Sequence, residues 1–597
     1  MKTLSVRFPG RHVAAPVTVR FPRAHSTVGG RVPAPAFSPS LLLLLLSLFL
    51  LLTPRAHAQW QTTTYTLHGG WNSLYLHGDA THATIEALLA DNPEVINIWR
   101  WNPNANPIQF GSSPLIPTAG TAEWSVWVKG QPTQTTLASL NGQTAYLVEC
   151  SGAAGSTYSL SIPQKVIPPR STWVRNGANF LGFPSKLGTP SYPTFSNYFA
   201  TFPVATAANT KIYKYVGGPL GPDNPTLVFS PTFENLDRTQ AYWFDAAVVG
   251  DFYAPLEVSP SNLSGLVYGR TGTQITVRVR NRTAAVVTLT VAPVTSASAP
   301  DGQEQITAAV PLTRRVYNAT TQTYDDVAVS GPFSVVVGPQ SSVELVFGLD
   351  RSLMTGATDA LYASLLRFTE SSNLMDVVLP VSARVSSLAG LWVGDVAVTN
   401  VQSKAPGAVG SATATAYPLR VILHVGTDGT ARLLSQVYLG RLAPAPYAFG
   451  LCTQEQFLKP DDKANARRLV AAHLPLDTDL SVGTGSVALG ATLVRSFTIG
   501  FNERTNPYVH TYHPDHDNKD ARLAPLVTPL ESPTIGRALS FAFALTPPAG
   551  TSSSGWGSTV LGGTYSETVT GLHRDPLTVT GTFELRRVSE LGSITTN

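Results

Sequence analysis

Three short blocks recur in the same order between about residues 60 and 260, and no other feature restricts the fold as tightly. Gly70-Trp71-Asn72-Ser73-Leu74 answers to Gly177-Ala178-Asn179-Phe180-Leu181, Ile98-Trp99-Arg100-Trp101 to Ile212-Tyr213-Lys214-Tyr215, and Ala145-Tyr146-Leu147-Val148 to Ala241-Tyr242-Trp243-Phe244. A repeated order of this kind means two copies of one supersecondary unit, packed as a pair because neither can bury its apolar face alone. The first block reads as a strand after a glycine turn. Thr84 to Ala90, with helical apolar spacing and good helix formers, reads as a short helix, and Phe195 to Phe199 is its counterpart. In the middle block Trp99 and Trp101 are two residues apart and share a strand face, with Arg100 opposite; Tyr213, Lys214 and Tyr215 repeat the arrangement. Arg100 and Lys214 are expected as solvated outer-face charges. Each copy also ends in a similar short strand, Leu160 to Ile162 and Leu256 to Val258.

From about 261 to 386 the pattern changes to alternating apolar runs between Gly, Pro, Asn and Asp turns. Gln274 to Arg280, Ala285 to Val291, Phe333 to Val337, Ser342 to Phe347 and Asp376 to Ala383 all suit half-buried strands. The segment reads as a β-sandwich serving as a spacer between the two ends of the chain. The remainder opens on Gly390-Leu391-Trp392-Val393-Gly394. A hairpin is expected from Pro418–Val425 through Thr427-Asp428-Gly429 into Thr430–Leu439, and another from Gly563–Val569 to Leu577–Leu585.

At the other end, Leu41 to Leu52 is a run of Leu and Phe broken only by Ser47, followed by Ala56-His57-Ala58. The run is too short to span a bilayer, which takes about 20 apolar residues. With small residues at the two positions a signal peptidase reads, it is expected to be a secretory signal, with the mature chain starting near Gln59. The segment ahead of it is long, basic and free of acids. It is either an extended n-region or a start placed upstream of the true one, since Met354 and Met375 are the only other methionines. Processing would remove seven of the 41 basic residues and none of the 37 acidic ones. The mature charge is then slightly negative, so the basic balance of the whole chain argues for neither nucleic acid nor anionic membrane as partner. No later stretch is apolar enough for a transmembrane helix. Cys150 and Cys452, far apart, make no disulfide framework.

The expected fold class is therefore mainly β and multidomain. It comprises a signal segment (1–58), two related small β-rich (α+β) repeats (59–165 and 166–260), an Ig-like β-sandwich (261–386) and a C-terminal antiparallel β-barrel-like domain (387–597). The Gly-x-Trp opening at Gly390 followed by hairpins is similar to a lipocalin-type barrel. As a whole the chain resembles modular exported bacterial surface proteins that join paired GWN-type repeats, an immunoglobulin-like module and a GLWVG β-domain. The resemblance implies export to the cell surface, the periplasm or the medium, and no particular activity.

Two features bear on chemistry. Eight of the ten tryptophans, Trp60, Trp71, Trp99, Trp101, Trp124, Trp127, Trp173 and Trp243, fall in the repeat region. Aromatic rings on a sheet face can stack on sugars, which makes Trp99, Trp101, Tyr213 and Tyr215 candidates for binding polysaccharide or cell-envelope components. Large aromatics are more often core, and the recurrence fits packing as well. The second feature is His510, His513, Asp515, His516, Asp517 and Asp520, a cluster able to hold a divalent cation, zinc through imidazole or calcium through carboxylates. Pro514 keeps these histidines from lining up on a helix, and an exposed hydrogen-bonded loop is the plainer reading. No Gly-x-Ser-x-Gly elbow, His-Glu-x-x-His helix, phosphate loop or dinucleotide fingerprint is present, so no catalytic residue is nominated. The expectation is a binding or structural protein. The alternatives are a carbohydrate-binding accessory protein using the N-terminal aromatics, and a metal-dependent hydrolase centred on His510 to Asp520.

Overall fold

The computed structural model describes residues 59–102, 117–170, 173–174, 177–186, 193–246, 250–434, 437–441, 449–452, 468–469, 483–500, 506, 510–511, 530–531, 533–548 and 555–595. The expected signal segment lies outside the described residues. Nearly every element is a strand, in several sheets.

The two repeats are the same sheet built twice. In the first, strands Gly70–Leu76, Thr144–Cys150, Val95–Trp101 and Trp124–Val128 lie side by side in that order; in the second the order is Gly177–Leu181, Tyr242–Ala246, Lys211–Lys214 and Thr226–Leu227. The register is also shared: Trp99 faces Leu147 as Tyr213 faces Trp243, and Asn72 faces Val148 as Asn179 faces Phe244. Both asparagines clamp the chain just ahead of their strand, Asn72 on the His68 backbone and Asn179 on that of Val174. Both block tyrosines accept a backbone N–H five residues upstream, Tyr146 from Asn141 and Tyr242 from Asp237. The expected helices shrink to single turns, Ile85–Leu88 and Phe195–Tyr198, each N-capped by a threonine, Thr84 or Thr194.

Each repeat sheet has two apolar faces. One packs on its own helix: Leu74, Ile98, Tyr146 and Val148 in the first repeat, Ile212, Tyr242 and Phe244 in the second. The other faces the partner repeat, where Trp99, Trp124 and Leu147 meet Phe180, Tyr215 and Trp243. Gly70–Leu76 is an edge strand whose outward N–H groups need partners. The second repeat supplies them: Trp71 N donates to Gly218 O at 2.9 Å and Tyr75 N to Thr239 O at 2.9 Å, while Gly218 N donates to Gly69 O at 2.7 Å. Glycine is required at this crossing. Gly70 has φ +89°, and a Cβ there would sit 2.3 Å from the Gly218 carbonyl oxygen.

The central module is a sandwich of two five-stranded sheets. It begins earlier than expected, because Leu256–Pro260 does not close the second repeat but pairs with Gln274–Asn281. Its supposed equivalent belongs to Thr157–Val166, which pairs with Trp60–His68 in a separate small sheet. The likeness of the two segments reflects only that both are apolar. Nor is the module a spacer from the repeats: the aromatic core of the second repeat, with Phe195, Phe199 and Phe244, runs through Phe252 and Leu256 into Val277, Leu289 and Phe368 of the sandwich. Trp60 seals the outside, packing with Ile306, Leu361 and Ala363, while the Ser296 hydroxyl donates to its carbonyl at 2.6 Å.

The C-terminal module is a seven-stranded antiparallel sheet in the order Ala431–Leu433, Ser411–Val425, Gly390–Ser403, Leu577–Ser589, Val560–Thr570, Ile535–Phe543 and Thr492–Ile499. It curls until its first and last strands share one core containing Trp392, Leu433, Leu493 and Phe541. Arg495 on the last strand, 5% exposed, spans the seam and donates to the Ala431 carbonyl at 2.9 Å. The interior is packed with side chains, among them a buried ion pair between Arg537 and Glu567. The expected hairpin after Gly429 divides: Ala431–Leu433 returns along the sheet, while Val437–Arg441 joins a different one with Phe449–Cys452. Among the described residues no helix is long and apolar enough to cross a membrane.

Candidate functional site

The repeat aromatics do not form an open platform. Trp99 is 8% and Tyr215 2% exposed, and Trp101 and Tyr213 are half-buried against the same cluster. The cause is the pairing of the sheets, which turns the shared aromatic face of each copy inward. Trp243 stacks on Phe180 at 4.4 Å between ring centres and donates from Nε1 to the Tyr215 hydroxyl at 3.1 Å. Trp99 donates to the Asn97 side chain at 2.7 Å. Of the four candidate rings, Trp101 lines a cavity.

That cavity is a cleft of ≈ 390 Å³ at the rim of the repeat interface, walled by Tyr75 and Trp101 from the first repeat and Phe180 from the second. It falls in the size range of small-molecule sites, about 300–1,000 Å³. Trp101 is fixed by edge contacts with Trp124 at 5.1 Å and Trp243 at 5.4 Å, and its Nε1 is buried with no acceptor among the described residues. Arg100, expected as an outer charge, is half-buried in the wall, held by Nε on the Asn102 side chain at 3.2 Å. Lys214 behaves differently and pairs with Glu234 at 2.6 Å. The other cation is Arg170, at the end of the linker Ile167-Pro168-Pro169-Arg170 between the repeats. Burial raises the Tyr75 hydroxyl well above its ordinary pKa, an effect that the positive charge of Arg170 opposes.

A chain of hydrogen bonds ties the cleft to the sandwich. Gln143, held at φ 53°, accepts from the Tyr75 hydroxyl at 3.1 Å and donates to the His77 carbonyl at 2.7 Å. The His77 ring reaches the Arg238 carbonyl through Nε2 at 2.8 Å. Arg238 then pairs with Asp376 of the sandwich at 3.3 Å, and Arg367 grips the same carboxylate from the other side. His77, Gln143, Arg238 and Asp376 line a smaller cavity of ≈ 140 Å³ where both repeats meet the sandwich. Burial, reinforced by the charge of Arg238, lowers the His77 pKa to about 3, so its ring is neutral at physiological pH.

The histidine and aspartate cluster is barely reached. His510 contributes backbone to a short strand, His510–Thr511, paired with Leu530–Glu531. His513, Asp515, His516, Asp517 and Asp520 lie outside the described residues. Among the described residues no three His, Cys, Asp or Glu side chains group as a metal site. Cys150 is buried and free, and burial raises its thiol pKa to about 12.

Sequence reasoning missed Tyr75, Gln143, Arg170 and Phe180. The Pro-Pro pair ahead of Arg170 marks a stiff linker and Asn141-Gly142 marks a turn, but neither tells which cavity the next side chain meets.

No protein-family model matches the sequence, and no curated protein sequence does. Among solved structures, the crystal structure of the Pseudomonas aeruginosa CupB2 chaperone aligns with 28% of this chain and 95% of its own, at 13% identity and a TM-score of 0.13. A likeness at that score carries no argument about fold or function.

Proposed function

We propose that the chain is an exported binding or structural protein of the cell surface, periplasm or medium, with the repeat pair as its binding end. The observation that carries this reading is the cleft between the repeats: an immobilised aromatic wall, polar groups at its edge, and a hydrogen-bonded chain holding it on a sandwich that shares the second repeat's core. Such rigidity lowers the entropy cost of binding. The Leu41–Leu52 run with Ala56-His57-Ala58 supports export. Fractionation of expressing cells with N-terminal sequencing tests it. A cytoplasmic product that retains residues 1–58 would refute export.

A second, narrower reading is favoured by Trp101: the ligand is a saccharide. A fixed ring beside amide and guanidinium donors matches a sugar's combination of C–H faces and hydroxyls. The full chain should be retained on at least one polysaccharide, with Trp101→Ala weakening retention. The full chain is needed because a cut near residue 260 would divide the core that the second repeat shares with the sandwich.

A further inference from the structure

Resting on the saccharide reading, we infer that the cleft between the repeats selects an acidic saccharide, with Arg100 and Arg170 holding its anionic group while the ring lies along Trp101. Three observations lead there. Both arginines line the cleft, and no carboxylate does among the described residues. Elsewhere in the repeat and sandwich region several arginines are matched to acids, Arg238 and Arg367 to Asp376, Arg282 to Glu257, Arg270 to Asp359 and Arg384 to Glu304, while Arg278, Arg314, Arg315 and Arg351 are held by a hydroxyl, aromatic rings or backbone carbonyls. Arg170 has no hydrogen bond or ion pair among the described residues, and Arg100 has only the bond from Nε to Asn102, which leaves both terminal nitrogens unused. A guanidinium without a counter-charge is a site for a planar or tetrahedral anion, since it presents a fork of donors that a carboxylate or sulfate oxygen pair can fill.

The positions of the two arginines match this role. Arg100 is on the central strand Val95–Trp101 of the first repeat, next to Trp101, so cation and ring are set by one rigid element. Arg170 is exposed but follows Pro168, which is buried, and Pro169, so the backbone that carries it is restrained while its side chain is free to close on a ligand. A neutral sugar would leave both charges uncompensated, and a small inorganic anion would leave the aromatic wall unused. A sugar bearing its own anion uses both.

The test measures binding of the full chain to uronate-bearing and sulfate-bearing oligosaccharides and to their neutral counterparts by calorimetry, in low and high salt. The expected result is binding of an acidic oligosaccharide at least ten-fold tighter than of its neutral counterpart, weakened by salt and weakened at least ten-fold by Arg170→Ala. Arg170→Lys should recover only part of the loss. Whether uronate or sulfate binds better identifies the anion. Arg170 is exposed and unpaired, so its substitution spares the fold; thermal melts of the variants check this. Equal binding of neutral and acidic sugars, or an Arg170→Ala variant that binds as the parent does, overturns the inference and leaves the saccharide reading intact. Binding of no oligosaccharide overturns both.

Discussion

Asp376 is the residue whose loss should do most damage where both repeats meet the sandwich. Its side chain is 2% exposed and serves two arginines: Arg367, which is 41% exposed, and Arg238, which is 7% exposed. In Asp376→Ala, Arg367 can turn to water, but Arg238 is left as a buried cation without its carboxylate. Breaking a buried pair from one side costs about 3–5 kcal/mol, chiefly through the charge that remains. Because only one of the two partners is trapped, the expected loss is about 3–4 kcal/mol. If the cost comes from the stranded charge, Arg238→Met in the same chain should recover about 2 kcal/mol or more of it, since replacing both members of a buried pair by apolar groups is often close to neutral. Urea unfolding followed by tryptophan fluorescence reports the relevant transition, because eight of the ten tryptophans lie in the repeats. An Asp376→Ala variant within 1 kcal/mol of the parent, or single-variant losses that simply add in the double variant, would show that no stranded Arg238 charge carries the cost.

The same region carries a pH dependence. His77 stays neutral in the folded chain down to about pH 3, whereas in the unfolded chain it takes up a proton below about 6.5. Its contribution is complete above about pH 6.5 and falls with decreasing pH, by up to about 1.4 kcal/mol per unit, until about pH 3. Unfolding at pH 7 and pH 5 should therefore differ by about 2 kcal/mol, and His77→Gln should flatten that slope. Gly70→Ala combines φ +89° with a Cβ 2.3 Å from the Gly218 oxygen and should cost about 2–4 kcal/mol. Gly120→Ala, at φ +76° with open space around it, should cost only about 1 kcal/mol, and thermal melts distinguish the two. Trp99→Ala empties a core position and should cost about 3–5 kcal/mol in the same unfolding assay, with any loss of ligand following from loss of fold.

How much of this was legible in the sequence depends on what each residue had for neighbours. The repeat was legible because Asn72 and Asn179, or Tyr146 and Tyr242, perform one local task in each copy, and local tasks leave the same letters in both. Sandwich strands such as Phe333–Val337 were legible because one face meets water and alternation survives. Leu361–Glu370 was missed for the opposite reason. Its inner face meets the sandwich core and its outer face is covered by Trp60 and Ile306, so apolar residues fill both and no period remains. The destination of the aromatic face was not legible either. Period two places Trp99 and Trp101 on one side, but only the docking of a second sheet decides that Trp99 is sealed and Trp101 reaches the rim.

The junction and the cleft are parts of one construction. Asp376 fixes Arg238, whose carbonyl meets the His77 ring; the His77 carbonyl accepts from Gln143, and Gln143 holds the Tyr75 hydroxyl in the cleft wall. Each link joins residues distant in sequence, and Gln143 adopts a left-handed backbone conformation held by its two side-chain hydrogen bonds and by its backbone N–H, which donates to the Leu76 carbonyl at 2.6 Å. The cleft therefore inherits its shape from the sandwich as much as from the repeats that line it. A loosened Asp376 junction would release Tyr75 before it unfolded either sheet, so ligand affinity should fall at denaturant concentrations where the tryptophan signal is still native.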